Sequence, residues 1–588
     1  VDLDGDGDLD LATACNEPGG VGLRLWENDG SPFDSGWSSY GVPSSGTITS
    51  IAVADFDRDG RPDLVTGHED APRLVVWRNA GTPFSGGWVS NTVGAPPVAV
   101  GGVATGDFDR DGFIDIVAVT GGTDQSPRTA QYTISVWRND GTPFDNAWSY
   151  NTVYIPYYAG QAVAVGDLDN DGWLDLVVGL SEAVAVGTLQ DPAEPESWLD
   201  NYYQLRAYRN DGDPFGGPWV QAFVGRDAKA VTLAPGSGRY HGFWGATVYD
   251  VAIADLDGDG VPDIASVDHI DADYQIKVWR NDGTPFDDQP EDDAECRERP
   301  YIWQPTAVYA GTPAIPWLDS SAYGVAIADM NLDGLLDLVT VNGEYDEHET
   351  NVWVNDGRPF GASVADSTWA RSPLGQDTTD RGALSVAVGD LDNDGDPDII
   401  HGSGNYYLAG VDNDLLLWKN PSGTIAFDVA STTPASFLQG STDDILRLSV
   451  VHRGFTVDHN ATIAGLRMRF ETELGVPLTT VEAQALIQNL YVYHSDDVTF
   501  TTADTQLAAV TQAALSLTPE GMVSISLPES NPLLQMAPLA VRHLFVVIEA
   551  TSDAASQSPN RIVAVLDPEV DVTVKDSTTD AVVSNRST

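Results

Sequence analysis

Nine residues reading Asp-x-Asp/Asn-x-Asp-Gly-x-x-Asp occur seven times in this chain, starting at Asp2, Asp55, Asp107, Asp167, Asp255, Asp329 and Asp390. The starts fall 52 to 88 residues apart, a spacing that belongs to repeat architectures in which each unit buries its apolar face on the next. One acidic nonapeptide is an ordinary turn. Seven in register constrain the whole chain to an array.

In each copy, positions 1, 3 and 5 present short carboxylates or an amide, and glycine at 6 permits a sharp turn. The residue at 7 offers its carbonyl and the acid at 9 closes the set. This is the chemistry of an EF-hand loop with its closing acid brought forward to the ninth residue. A hard cation that takes about six to eight oxygens fits such a donor set, and zinc does not. The expected ligands of the first three loops are Asp2, Asp4, Asp6, Asp8 and Asp10; Asp55, Asp57, Asp59, Arg61 and Asp63; and Asp107, Asp109, Asp111, Phe113 and Asp115. The fourth and fifth use Asp167, Asp169, Asp171, Trp173 and Asp175, and Asp255, Asp257, Asp259, Val261 and Asp263. The last two use Asp329, Asn331, Asp333, Leu335 and Asp337, and Asp390, Asp392, Asp394, Asp396 and Asp398. About seven structural Ca²⁺ ions are therefore expected.

Short alternating apolar runs flank each loop, as in Ile51 to Ala54 before it and Asp63 to Gly67 after it, and read as strands. A second signal follows in each unit: Trp26-Glu-Asn-Asp-Gly30, Trp77-Arg-Asn-Ala-Gly81, Trp137-Arg-Asn-Asp-Gly141, Tyr208-Arg-Asn-Asp-Gly212, Trp279-Arg-Asn-Asp-Gly283 and Trp353-Val-Asn-Asp-Gly357, reduced in the seventh to Trp418-Lys-Asn420. Asn-Asp-Gly between strands predicts a tight hairpin turn. The Trp before it and the Pro-Phe pair after it, Pro83-Phe84 for example, read as packing anchors. Four strands per unit without helical periodicity predict a radial propeller. The expectation is an all-β chain: a seven-bladed β-propeller with calcium loops over residues 1–420, followed by a β-sandwich over 421–588.

The repeats resemble the FG-GAP/VCBS family, whose members include the seven-bladed propeller of integrin α subunits. The resemblance covers roughly residues 1–420. It implies calcium loops between the first and second strands of a blade, on the lower face of the propeller. Integrin-like members carry such loops in only some blades, and seven filled loops look more like the bacterial branch. The chain starts inside its first loop, so the innermost strand of the first blade is missing: either the chain is a fragment, or a C-terminal segment completes the ring.

Lys and Arg total 29 against 88 Asp and Glu, a net charge of −59. Seven divalent ions would return fourteen charges and leave the chain strongly acidic. Nucleic acid and anionic membrane surfaces are not expected as partners, because both favour clustered cations. No apolar run reaches transmembrane length, and no signal peptide is visible in this chain. The two cysteines, Cys15 and Cys296, lie far apart and are expected to be unpaired. Loops of this kind with dissociation constants on the order of 10⁻⁴ to 10⁻³ M suit extracellular fluid. The expected location is therefore extracellular or at the cell surface.

The ligand face is expected opposite the calcium turns, on the loops between the second and third strands. Candidates there are His68, Tyr202, Tyr203, His269, Tyr274, Tyr345, His348, Tyr406 and Tyr407, joined by Tyr240, His241 and Trp244 on the loop entering the fifth blade. Rings beside carboxylates suit a sugar. The exposed surface of a propeller also carries such residues without any ligand. The functional expectation is an adhesion or ligand-binding module for carbohydrate or an extracellular protein. The chain shows no G-x-S-x-G elbow, H-E-x-x-H pair, Walker loop or dinucleotide turn, and an enzyme is not expected. A polysaccharide lyase-like enzyme on the same face, or a scaffold without a ligand, are the alternatives.

After Pro421 the metal loops and Trp motifs stop. Runs such as Ile445–Val451, Ala461–Phe470, Leu490–Tyr493, Met522–Leu527 and Leu544–Glu549 predict about eight strands, with one short helix over Val481–Gln488 and a fraying tail past Val574. His452, His459 and His494 read as structural, and the turn at Ser495-Asp496-Asp497 as solvated.

Overall fold

The computed structural model describes residues 1–14, 22–33, 37–44, 46–121, 132–145, 148–154, 159–181, 204–225, 228–230, 243–245, 247–268, 275–287, 303–309, 322–342, 350–361, 369–374, 383–393, 396–403, 415–420, 425–432, 438–452, 460–537, 540–559, 561–566, 571–576 and 585–587. The chain divides into two compact units. One is Val1–Ala328 with Leu335–Lys419, and the other is Asn420–Thr588 with Asp329–Gly334.

The first unit is a β-propeller. Among the described residues it contains a series of seven antiparallel sheets, five of four strands and, at the two ends of the series, one of three strands each, besides a two-stranded sheet of Ala228–Ala230 and Phe243–Gly245. The second blade is representative. Its strands Ile48–Ala54, Asp63–His68, Leu74–Asn79 and Trp88–Gly94 pair in sequence order, and the metal loop joins the first two. First strands of successive sheets lie side by side, so they form the inner wall. The core lies between neighbouring sheets: Phe56, Val65, Leu74 and Val76 of the second pack on Val100, Val103, Ile116 and Trp137 of the third.

That arrangement corrects the alternating pattern expected after each loop. Asp63–His68, Asp115–Thr120, Asp175–Leu180, Asp263–Asp268 and Asp337–Asn342 are buried at every position, because a sheet has a neighbour on each face and both faces must be apolar. It also displaces His68 from the exposed loop predicted for it. His68 ends a strand, is buried, and lies 2.7 Å from the Thr66 hydroxyl.

The Asn-Asp-Gly segments are not tight hairpins. In the second blade the third strand ends at Asn79 and the fourth begins at Trp88. The Asn side chain instead makes an Asx turn, its Oδ1 accepting from Gly81 N at 3.0 Å, while its amide leaves the blade altogether. Asn79 donates to Leu3 O in the preceding blade (2.7 Å), Asn139 to Phe56 O (2.9 Å), Asn210 to Phe108 O (2.9 Å), Asn281 to Leu168 O (2.8 Å) and Asn355 to Leu256 O (2.9 Å). Asn28 of the first blade donates to Leu391 O of the last at 2.7 Å. The series thereby returns to its start, and the ring is closed.

A second tryptophan opens the fourth strand, and its indole N–H donates to the carbonyl of the motif proline, as from Trp88 to Pro83 (2.9 Å), Trp148 to Pro143 (3.1 Å) and Trp219 to Pro214 (3.1 Å).

The second unit holds two sheets around one apolar core. The larger orders six strands as 505–511, 487–495, 541–550, 442–452, 425–431 and 585–587. The other is built on Ala461–Glu471. Leu448, Leu490 and Val546 of the first sheet share the core with Ile463, Met468 and Val523 of the second. The helix is shorter than expected, Thr480–Leu486, and its start is fixed by a capping box between Thr479 and Glu482. Leu486 is followed directly by strand Ile487–Ser495, whose sheet pairing overrides the helical pattern. The tail differs from the expected fraying as well: Asn585–Ser587 pairs parallel to Ile425–Phe427. Asn420, at the start of this unit, donates to Met330 O at 2.7 Å. His452 and His494 are buried, and His459 lies outside the described residues.

Candidate metal centres

Each loop is folded by its own carboxylates. Asp55 accepts at Oδ1 from Asp59 N (3.0 Å) and at Oδ2 from Gly60 N (2.8 Å). Its equivalents Asp107, Asp167, Asp255 and Asp329 likewise accept from the glycine at position 6, at 2.7 to 2.8 Å. These turns need two left-handed residues. Gly60, Gly112, Gly172, Gly260 and Gly334 have φ from 84° to 91°, and position 4 is left-handed at Arg58, Arg110, Asn170, Leu332 and Asn393. The position-5 carboxylate accepts from the amide of residue 7, at 2.9 to 3.0 Å for Arg61, Phe113, Trp173, Val261 and Asp8.

The ninth residue is held most tightly. Asp63 accepts from Phe56 N at 3.1 Å and from Asn79 N at 2.8 Å, and the same two bonds recur at Asp10, Asp115, Asp175 and Asp263. Asp398 keeps the first, from Leu391 N, and Asp337 the second, from Asn355 N. These side chains are buried. Burial pushes Asp10 up to about 6, Asp63 and Asp263 to about 7, and Asp115 and Asp175 to about 8. A carboxyl in that position is costly to ionise alone and gains from an adjacent cation.

The donor set fits a hard cation on two observations. One oxygen each from Asp55, Asp57 and Asp63 lie within 4.8 Å of one another, as do those of Asp107, Asp109 and Asp115, of Asp167, Asp169 and Asp175, of Asp2, Asp4 and Asp6, and of Asp255, Asp257 and Asp259. Moreover, Asp57 Oδ1, Asp107 Oδ1, Asp167 Oδ1 and Asp392 Oδ1 are buried and accept no hydrogen bond from the described residues. Buried oxygens are ordinarily paired. The group at Asp329, Asn331 and Asp333 is held together by bonds from Asp333 N to both partners. Asp394 lies outside the described residues. Asp396 is buried.

The residue after the motif Trp or Tyr, which was not singled out in the sequence, belongs to these loops. Arg78 lies 2.7 Å from Asp57, Arg138 2.7 Å from Asp109, Arg209 2.7 Å from Asp169 and Arg280 3.2 Å from Asp257, and Lys419 pairs with Asp392. Its periodic recurrence beside the Trp was the available signal. Each of these cations also lies over the motif Phe of the next blade, Arg138 over Phe215 at 5.7 Å and Lys419 over Phe33 of the first blade at 5.6 Å.

Of the ligand-face candidates, Tyr202, Tyr203, Tyr240, His241, His269, Tyr274, Tyr345, His348, Tyr406 and Tyr407 lie outside the described residues, as do Cys15 and Cys296. Trp244 is placed by its backbone alone, in strand Phe243–Gly245 paired with Ala228–Ala230. His68 is buried as described above. The described residues therefore bring none of these candidates together.

A family model described as FG-GAP-like repeat matches residues 2–66, 119–178 and 329–401. The chain carries FG-GAP-like repeats in these three regions. Cartilage acidic protein 1 of Homo sapiens is 28% identical over 136 residues, which is 23% of this chain and 20% of that protein. The protein of the same name from Xenopus tropicalis is 28% identical over 141 residues, 23% of this chain and 21% of that protein. This FG-GAP chain thus matches only about a fifth of the length of those relatives. Among solved structures, the Dos1 propeller aligns with 64% of this chain and 70% of its own at 9% identity and a TM-score of 0.35. The Vibrio cholerae biofilm matrix protein Bap1 aligns with 82% of this chain and 72% of its own at 14% identity and a TM-score of 0.28. Among the described residues no helix is long and apolar enough to cross a membrane.

Proposed function

We propose that this FG-GAP repeat protein is an extracellular or cell-surface adhesion module whose propeller is held in shape by calcium, about one ion per loop, and which takes a carbohydrate or an extracellular protein as its ligand. The observation that supports it most is the set of buried, unpartnered oxygens of Asp57, Asp107, Asp167 and Asp392 within acidic loops. Such an all-oxygen donor set suits a hard cation. Calcium bound there would neutralise the clustered carboxylates. The chain's residues do the rest: Asp63 and its equivalents transmit the loop's position to the motif Asn, and that Asn carries it to the preceding blade.

On this reading the protein binds rather than catalyses. Its strong negative charge directs it away from nucleic acid and anionic lipid. The test is binding of the calcium-loaded protein, with an EGTA-treated control, to an array of glycans and to immobilised extracellular matrix proteins. Calcium-dependent binding to either panel is expected, and the panel that responds names the ligand class. Absence of binding to both panels would leave a scaffold without a ligand and overturn the adhesion reading.

A further inference from the structure

The residue after the motif aromatic is basic in five blades: Arg78, Arg138, Arg209, Arg280 and Lys419. Each meets the carboxylate at loop position 3 of its own blade. In the second blade the division of labour is explicit, because Asp57 gives Oδ2 to Arg78 while its Oδ1 is buried and accepts no bond from the described residues. Asp392 is divided in the same way between Lys419 and an unpartnered Oδ1. The cation thus orients the carboxylate and offsets its charge without occupying the oxygen that faces the loop.

The two exceptions differ from each other. In the sixth blade the cation is replaced by Val354, and there position 3 is Asn331, so the cation and the charge it would meet are lost together. In the first blade the residue is Glu27 and position 3 is Asp4, so no cation stands at that position to offset the carboxylate and a further acid stands on the same strand as Trp26. That loop also lies at the seam of the ring. Its ligand Asp10 accepts from Asn28 N at 2.9 Å, and Asn28 reaches Leu391 O of the last blade at 2.7 Å. From the other side Asn393 donates to Asp8 at 2.7 Å.

We propose that the residue following the motif aromatic sets the calcium affinity of its own loop by offsetting the charge at position 3, and that the first loop, lacking this offset, binds calcium first and latches the ring at its seam. The proposal rests on the calcium reading given above. Ligand charge count tunes the affinity of oxygen loops, and an outer-shell partner that both orients and neutralises a ligand acts on the same quantity. The five loops with an offsetting cation, and the sixth with its neutral Asn331, keep their shape with little calcium. The first depends on it.

The experiment is a terbium and calcium titration of the whole chain, followed by luminescence and calorimetry, alongside melting in EGTA. The wild type is expected to show one tight step before the remaining sites fill. Glu27→Arg should weaken that step about tenfold and raise the melting temperature in EGTA. Asp4→Asn should act in the same direction, which guards against misfolding of the first variant. Arg138→Gln should do the reverse in its own blade, tightening one of the later steps and lowering melting in EGTA. Metal binding in a single affinity class, unmoved by Glu27→Arg and Asp4→Asn, would overturn the inference and leave the calcium reading intact. No metal binding by the wild type would overturn both.

Discussion

Three ionisable groups show how individual residues carry the propeller. Lys277 and Asp268 form a fully buried pair at 3.2 Å, and Asp268 is tied through Ser266 to the indole of Trp279. Removing one member of such a pair strands the other charge. Lys277→Met is therefore expected to cost on the order of 3–5 kcal/mol in urea unfolding, and a loss below about 1 kcal/mol would show that the pair is not buried as described. Asp250 accepts from Val251 N and from Val325 N of the next sheet, and burial pushes its carboxyl up to about 6. Its folded value lies above the usual value of about 3.9, so its contribution is full below about pH 4 and is lost as pH rises through about 6. The stability of the wild type relative to Asp250→Asn should fall between pH 4 and pH 7. A difference that does not vary with pH would contradict this assignment.

At the scale of elements, the joint between blades is the motif Asn. Asn139 is fully buried and satisfies Phe56 O, Ile114 O and Gly141 N at once. Asn139→Ala would leave those groups unpaired inside the ring, at an expected cost of about 3 kcal/mol. Comparison of its denaturation midpoint with the wild type checks this, and an unchanged midpoint would remove the Asn from the account. The sequence showed this motif but misassigned it. Asn-Asp-Gly has the composition of a tight hairpin, and only the position of the preceding blade's carbonyl shows that the side-chain amide is used 76 to 113 residues away along the chain. The loops were more legible, since glycine at 6, carboxylates at 1, 3 and 5, and the ninth Asp each act within nine residues. Their Arg partners were not, because a cation beside a Trp has no local signature until the strand carrying it is paired. Helix Thr480–Leu486 was legible at its cap and not at its end, which tertiary pairing of Ile487 decides.

At the scale of the whole propeller, seven sheets form a ring whose every joint runs past an acidic loop. Calcium at tenfold its dissociation constant adds about 1.4 kcal/mol per site, or on the order of 10 kcal/mol for seven, comparable with the entire stability of an ordinary domain. Residues 420–588 have a core of their own and the nonapeptide loop does not recur in them, so chelation should lower one unfolding transition and spare the other. The measurement that tests this most directly is thermal unfolding with and without excess EGTA, read together with a count of bound calcium by elemental analysis. Close to seven ions per chain and a large fall in the propeller's melting temperature on chelation are the predicted result. Few or no bound ions with an unmoved melting curve would mean that the loops are acidic turns, and would contradict the account.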